Sequence, residues 1–244
     1  MSNPYFQFKQ FTIWHDKCAM KVGTDGVLLG AWSAAENALQ ILDVGTGTGL
    51  IALMLAQRNP QAQITAVEID EKAAAQAEIN VARSPWADRI SIICNNFRLF
   101  LTENRYDLIV SNPPYFVDAL NCPDKQRNMA RHTCELNYEL LFQRSAQLLC
   151  EQGRVCIIIP AEVEKLVIDT AWKYKLYLSR RLRVFTKPGK PCRRVLISFG
   201  LQEKECIEET LCIEVEHNQF TPEYIALTKE FYLKIFLTIL KIHT

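Results

Sequence analysis

Between residues 39 and 160 the chain alternates short, continuously apolar runs with longer stretches of helical periodicity. The runs are "LQILDVG" (39–45), "QITAVEI" (63–69), "ISIIC" (90–94), "YDLIVSN" (106–112) and "RVCIIIP" (154–160). Between and after them lie "LIALMLAQRN" (50–59), "EKAAAQAEINVARS" (71–84), "YELLFQRSAQLLC" (138–150) and "AEVEKLVIDTAWKY" (161–174). A strand that is apolar at every position has both faces covered, so helices must pack on each side of the sheet it belongs to. The pattern predicts an α/β domain with a doubly wound, mostly parallel sheet and right-handed crossovers. At 244 residues and 49% hydrophobic content, the chain has enough apolar surface to build one such core.

The flanks add antiparallel pieces. "LYLSRRLRVFT" (176–186) and "RRVLISFGLQ" (193–202), joined by "KPGKPC", read as a hairpin at the sheet edge. "FQFKQFTIWHD" (6–16) alternates like a short hairpin, and "TDGVLLGAW" (24–32) reads as a helix capped by Thr24 or Asp25. Beyond residue 203, "EETLCIEVE" suggests a last strand, and "TPEYIALTKEFYLKIFLTIL" a C-terminal helix whose apolar end packs on the domain. The expected division is an N-terminal extension (1–36), a catalytic region (37–202) and a C-terminal strand and helix (203–244).

Charge says little globally, since 28 Lys and Arg face 27 Asp and Glu. The N-terminus lacks the basic and apolar regions of a signal peptide, and no apolar run approaches membrane-spanning length. A cytoplasmic, soluble protein is expected. Its nine cysteines include no C-x-x-C pair, which favours reduced thiols and no metal site.

"ILDVGTGTGL" places Asp43, Gly45, Gly47 and Gly49 between a buried strand and a helix, where glycines let a ligand approach the backbone. A dinucleotide fingerprint requires a third glycine at position 50, and Leu50 stands there. The spacing G-x-G-x-G, with an acid two residues ahead, instead resembles the first motif of S-adenosylmethionine-dependent methyltransferases. In that setting Asp43 suits the cofactor's cationic methionine end. Glu68, at the end of the second strand, can accept both ribose hydroxyls of a nucleoside cofactor, with Asp70 reading as a helix N-cap. Asn96 falls where related enzymes often carry an Asp toward the adenine amine.

"SNPPYF" (111–116) closes the fourth strand of the pattern with two residues that cannot donate a hydrogen bond. Asn-Pro-Pro-Tyr at this place resembles the hallmark of methyltransferases acting on planar nitrogens: adenine N6, guanine N2, cytosine N4 and glutamine N5. "HDKCAMKVGTDGVLLGAW", "DVGTGTGLIALMLAQR", "AVEID", "SPWADRI", "DLIVSNPPY" and "ALTKEFYL" together resemble the bacterial tRNA1(Val) adenine-N6 methyltransferase family from about Phe8 to Leu233. The resemblance implies a Rossmann-like class I fold with a seven-stranded sheet and an antiparallel edge hairpin. It also implies S-adenosylmethionine as cofactor, and as substrate adenine 37 of a valine tRNA, in its anticodon loop. Thr24 and Asp25 become secondary cofactor candidates.

The amine of adenine is a poor nucleophile because its lone pair is delocalised into the ring. Acceptors for both N–H groups favour a localised lone pair and stabilise charge developing during attack. The side-chain oxygen of Asn112 and the carbonyl of Pro113 have that capacity, held by the fixed φ of Pro113 and Pro114. Tyr115 can stack on the base, and Phe116 can support that stack or fill the core. In the long polar segment after the motif, Lys125, Arg127 and Arg131 can reach phosphates. So can Arg193 and Arg194, which end a stretch (173–194) with nine cations and no acid. His132 is not needed as a base, and His15 can pin the N-terminal segment. No protein partner is implied.

Three other readings share some of these features. They are an N-methyltransferase of release-factor glutamine or of rRNA, a nicotinamide-dependent oxidoreductase, and an idle tRNA-binding protein that keeps the cofactor pocket.

Overall fold

The computed structural model describes residues 3–16, 21–113, 137–217 and 219–233. The N-terminal hairpin forms as expected, with β1 (Tyr5–Gln7) antiparallel to β2 (Thr12–Trp14). Helix α1 (Thr24–Trp32) follows.

The apolar runs become the middle of one sheet. Its strands are β3 (Gln40–Val44), β4 (Gln63–Glu68), β5 (Ile90–Cys94), β6 (Tyr106–Ser111), β7 (Leu149–Pro160), β8 (Tyr177–Phe185), β9 (Cys192–Gly200) and β10 (Ile207–Cys212), in the order β10-β8-β9-β7-β6-β3-β4-β5. Strand β9 runs antiparallel to both its neighbours, and every other pair is parallel. The chain steps outward from β3 to β4 and β5, then returns to the other side of β3 as β6. The switch point therefore lies between the carboxyl ends of β3 and β6, where a ligand crevice opens in sheets of this type.

Alternation along each strand divides the core in two. Ile41, Ile64, Leu108, Val110 and Ile158 face one side, together with α1 and α2 (Leu50–Arg58). Leu42, Val44, Val67, Ile109 and Ile157 face the other, against Phe97, Phe100, α4 (Tyr138–Leu148) and α5 (Glu164–Lys173). Helix α3 (Glu71–Ala82) begins at Asp70, whose Oδ1 accepts from the Ala73 N–H at 2.8 Å, as expected of an N-cap. Helices α1 and α2 approach closely because Gly30 has no side chain: a Cβ there would meet Met54 Sδ at 2.7 Å. Truncating a fully buried leucine such as Leu53 to alanine costs about 2–5 kcal/mol in cores of this kind.

Four details differ from expectation. The β8–β9 hairpin is present but does not form the edge: β10 adds an eighth strand beside β8. The C-terminal helix is short, α6 (Pro222–Thr228), started by the Thr221 hydroxyl, and Tyr232 then bridges back to Phe8. A two-stranded ribbon, β11 (Glu214–Glu216) with β12 (Gln219–Phe220), separates β10 from α6. Finally, neither Thr24 nor Asp25 caps α1; Gly23 occupies the cap position and no side chain makes a capping hydrogen bond. The apolar tail from 234 onward lies outside the described residues.

Candidate active site

Three glycines shape the turn from β3 into α2. Gly45, Gly47 and Gly49 have φ of 72°, 58° and 83°, a region costly for any residue with a Cβ. The turn is tied down on both sides. Gly45 and Thr46 donate to the Val67 carbonyl at 2.8 and 3.2 Å, and Gly47 donates to Glu68 Oε2 at 2.8 Å. Glu68 Oε1 accepts the Ile69 and Asp70 N–H groups at 2.9 and 3.0 Å. One buried carboxylate thus links the glycine turn to the start of α3 and keeps one acceptor site free. Asn80 performs a similar service from behind, donating to Thr48 O and Trp14 O and accepting from Trp14 N–H.

Asp43 is fully buried beneath this turn. Its Oδ2 accepts from the Thr46 hydroxyl at 2.6 Å, and Oδ1 has no hydrogen bond of ordinary geometry among the described residues. Burial raises its pKa to about 7; the Thr46 hydroxyl and the Ala52 N–H oppose that rise, and the Glu68 carboxylate adds to it. A buried acid with an unpaired oxygen is a receptor for a cation or a donor.

Across the switch point, the β3–β6 ladder pairs Ile41 with Leu108, Leu42 with Ile109 and Asp43 with Val110. The next pair is Val44 and Ser111, and here the strands part: the buried Ser111 hydroxyl donates to the Val44 carbonyl at 2.7 Å. Asn112 therefore leaves the sheet one residue after a side-chain bridge to the strand that leads into the glycine turn. Its side chain is partly exposed and bonds no other described residue, and Pro113 is buried. Val44, Gly45, Val67, Ile69, Asn96 and Phe97 line a cleft beside the turn.

A family model described as the methyltransferase small domain matches residues 21–168. A tRNA1(Val) (adenine(37)-N6)-methyltransferase of Bacteroides thetaiotaomicron is 56% identical over 96% of this chain and all of that protein. Proteins of the same name from Tolumonas auensis and Pectobacterium carotovorum are 47% and 43% identical, over 96% and 93% of this chain and 99% and 93% of their own lengths. The chain belongs to this methyltransferase family. Among solved structures, an Agrobacterium tumefaciens protein described as a predicted O-methyltransferase has a TM-score of 0.66 at 18% identity, covering 85% of this chain and 96% of that one. The CcbJ methyltransferase of Streptomyces caelestis has a TM-score of 0.52 at 15% identity, covering 74% and 96%. The architecture is the Rossmann-like fold of class I methyltransferases.

The residues at the switch point fit the cofactor such methyltransferases use. The unpaired Asp43 oxygen suits an ammonium group, Glu68 retains capacity for a ribose hydroxyl, and Ile69 and Phe97 offer apolar surface for an adenine ring. Ile69 is 53% exposed on one wall of the cleft, an exposure that an aromatic ligand would relieve. Sequence reasoning missed Ile69, Phe97 and Ser111. Ile69 and Phe97 have the apolar character of core residues, and only the turn geometry brings them to the cleft. Asn96 lines the cleft too, but its Oδ1 already accepts from the Arg98 N–H at 2.9 Å, so its amide has N–H groups to offer as well as oxygen.

Not every expected residue has the expected surroundings. Asp25 meets the Arg194 guanidinium, Nε to Oδ2 at 2.8 Å, so two residues assigned to different ligands hold one another. The basic stretch is largely consumed. Strand β10 lies alongside β8 and brings Glu208 and Glu209 to its arginines. Arg180 binds Glu209 through two nitrogens at 2.6 and 3.1 Å, and Arg181 and Arg183 share Glu164 and Glu208. His15 pins the N-terminal segment by donating to Asn3 O at 3.0 Å. Pro114, Tyr115, Phe116, Lys125, Arg127, Arg131 and His132 lie outside the described residues.

Proposed function

We propose that this chain transfers a methyl group from S-adenosylmethionine to N6 of adenine 37, beside the anticodon of tRNA1(Val). The observation that carries the reading is the position of Asn112 and Pro113. They leave β6 at the switch point, one residue after Ser111 bridges to the strand that leads into the glycine turn, in a chain whose relatives bear that name. In this reading Asp43, Gly45, Gly47, Gly49, Glu68 and Asn96 hold the cofactor, with Thr24 and Asp25 further out. When bound, the cofactor supplies an electrophilic methyl group on a sulfonium.

The protein supplies position and electrostatics. Asn112 Oδ1 and the Pro113 carbonyl accept the two N–H bonds of the adenine amine, favour a localised lone pair and stabilise the positive charge that grows on nitrogen. Pro113 and Pro114 restrict the backbone that carries these acceptors, and Tyr115, supported by Phe116, stacks on the base. After transfer the proton leaves to water, so no side-chain base is assigned. An unpaired loop adenine enters such a pocket at less cost than a base taken from a duplex.

Lys125, Arg127, Arg131 and Arg193 are assigned to tRNA phosphates, and Arg194 acts through Asp25. Residues 37–202 form the catalytic region, flanked by 1–36 and 203–244, and the protein works in the cytoplasm. Among the described residues, no helix is long and apolar enough to cross a membrane.

The test is incubation with labelled S-adenosylmethionine and unmodified total tRNA, followed by mapping of the labelled nucleoside. Label on N6 of adenine 37 in one valine tRNA, lost in Asn112→Ala, is the expected result. Label on guanine, or on a glutamine of a protein, overturns the substrate while leaving the cofactor reading intact.

A further inference from the structure

The carboxyl end of the sheet carries a second recess, which meets the site above only at Thr24. It encloses about 630 Å³ and is lined by Phe6, Val22, Thr24, Ile213, Phe220 and Tyr232, among others. Phe220 stands 5.2 Å from the Tyr224 ring and Phe6 stands 6.0 Å from Tyr232, with all but Tyr224 partly exposed. The one carboxylate in the lining, Glu214, faces Lys187 at 3.5 Å.

The recess lies on the same side of the sheet as the site. Ile213 donates to Phe185 O, where β8 ends, and Thr24 precedes the Asp25 that Arg194 holds opposite Pro160. Cys212, next to Ile213 in the chain, lines a shallow concavity, made by the β8–β9 turn, with Lys187 and Lys190. Lys190 and Arg193 are exposed, and their side chains make no ion pair with the described residues; the same holds for Lys21, beside Val22 on the other rim. Of the cations in 173–194, these two at the hairpin tip remain uncommitted at this end of the sheet.

We infer that the recess and the hairpin tip form one surface for single-stranded RNA: an unpaired base stacks among Phe6, Phe220 and Tyr232, and Lys190, Arg193 and Lys21 contact the flanking phosphates. The inference rests on the proposed tRNA substrate and adds a second gripping point beside the methylated adenine. Aromatic faces accept any base, while the cations supply charge complementarity to its backbone. The volume suits a small planar group, within the roughly 300–1,000 Å³ of ordinary ligand pockets. A neutralised Glu214 removes the repulsion that an open carboxylate would impose on a phosphate.

The experiment measures the affinity of the full chain for an unmodified anticodon stem-loop RNA at several salt concentrations, with S-adenosylmethionine affinity as control. Lys190→Glu with Arg193→Glu, an exposed pair whose change spares the core, weakens RNA binding at least tenfold at low salt. It also reduces the salt slope by about one to two. Phe220→Ala weakens RNA binding by about tenfold. Cofactor affinity stays at the wild-type value in both.

Wild-type RNA affinity in both variants overturns the surface. So does a Phe220→Ala protein that loses thermal stability without losing RNA affinity, or a dimer broken by that change with RNA binding intact. Tighter RNA binding on removal of residues 234–244, with Phe220→Ala neutral in the shortened chain, assigns the recess to the tail and overturns it as well. The two readings separate cleanly: normal methylation of adenine 37 with indifferent variants sinks only the surface, and label on another nucleoside with sensitive variants sinks only the target.

Discussion

Arg194 Nε lies 2.8 Å from Asp25 Oδ2, an ion pair between strand β9 and the first turn of α1, with side chains 31% and 22% exposed. The helix start therefore depends on a tertiary contact rather than on a capping side chain. In the proposed reading Asp25 also belongs to the cofactor site, and on that reading the pair couples the position of α1 to cofactor binding.

Arg194→Ala is expected to lower stability by about 1 kcal/mol, the upper range for a partly exposed pair. It is also expected to weaken cofactor binding several-fold. Arg194→Lys keeps the charge but loses the planar guanidinium, and recovers only part of both. Thermal unfolding and calorimetric titration of the cofactor read the two effects separately. Unchanged cofactor affinity in Arg194→Ala would confine the pair to a structural role.

Much of this fold was legible because the determining signal is local. Continuous apolar runs need two covered faces, and β3 to β7 follow from that requirement alone. The Asp70 cap was equally readable from its own segment. What could not be read depends on partners distant in sequence. Arg180, Arg181 and Arg183 belong to the stretch read as a phosphate-binding surface, and Glu208 and Glu209 to a later strand. Their cancellation appears only when β10 pairs with β8 in parallel register, Arg181 opposite Glu208. Ser111 was hidden for the same reason: its partner, the Val44 carbonyl, is 67 residues away.

Ser111→Ala removes the one side-chain bridge that the described residues make across the switch point. A lost buried hydrogen bond costs about 1 kcal/mol of stability, more if the Val44 carbonyl finds no substitute donor. The sharper expectation concerns rate. With Asn112 no longer fixed against the glycine turn, kcat falls about tenfold or more while cofactor KM changes little, since small misplacements of reacting groups are costly. Ser111→Cys, nearly isosteric and a weak donor, restores part of the rate. Steady-state kinetics at saturating cofactor, well below the melting temperature, decide the matter. Equal kcat in wild type and Ser111→Ala would reduce the bridge to a packing detail.

Glu68→Gln tests the carboxylate that links the turn to α3. The glutamine amide has one oxygen, so it cannot accept from Gly47 on one side and from Ile69 and Asp70 on the other. An N–H group is left facing another, at a cost of about 1–3 kcal/mol. Cofactor affinity is expected to fall by at least tenfold, with a lower melting temperature. Glu68→Asp, which keeps the charge but shortens the reach, is expected to fall between. Calorimetry with and without cofactor checks both.

The pH dependence of cofactor binding follows from Asp43. Its folded-state pKa of about 7 stands above the ordinary 3.8, because burial disfavours the charged form more than the Thr46 hydroxyl supports it. Between these values the folded chain binds a proton that the unfolded chain releases. This group's contribution to stability therefore declines as pH rises from about 4 to about 7, and is constant above that. Cofactor binding has the opposite slope. A cationic ligand end beside Asp43 favours the carboxylate, so binding expels the proton, and affinity is expected to fall roughly tenfold per pH unit below the folded pKa. Titrations at about pH 6 and about pH 8, in buffers of different ionisation heat, measure both the affinity change and the proton released. Asp43→Asn is expected to remove the proton release and leave weak, pH-independent binding. A wild-type affinity that is flat across this range would assign the cationic end of the cofactor to another partner.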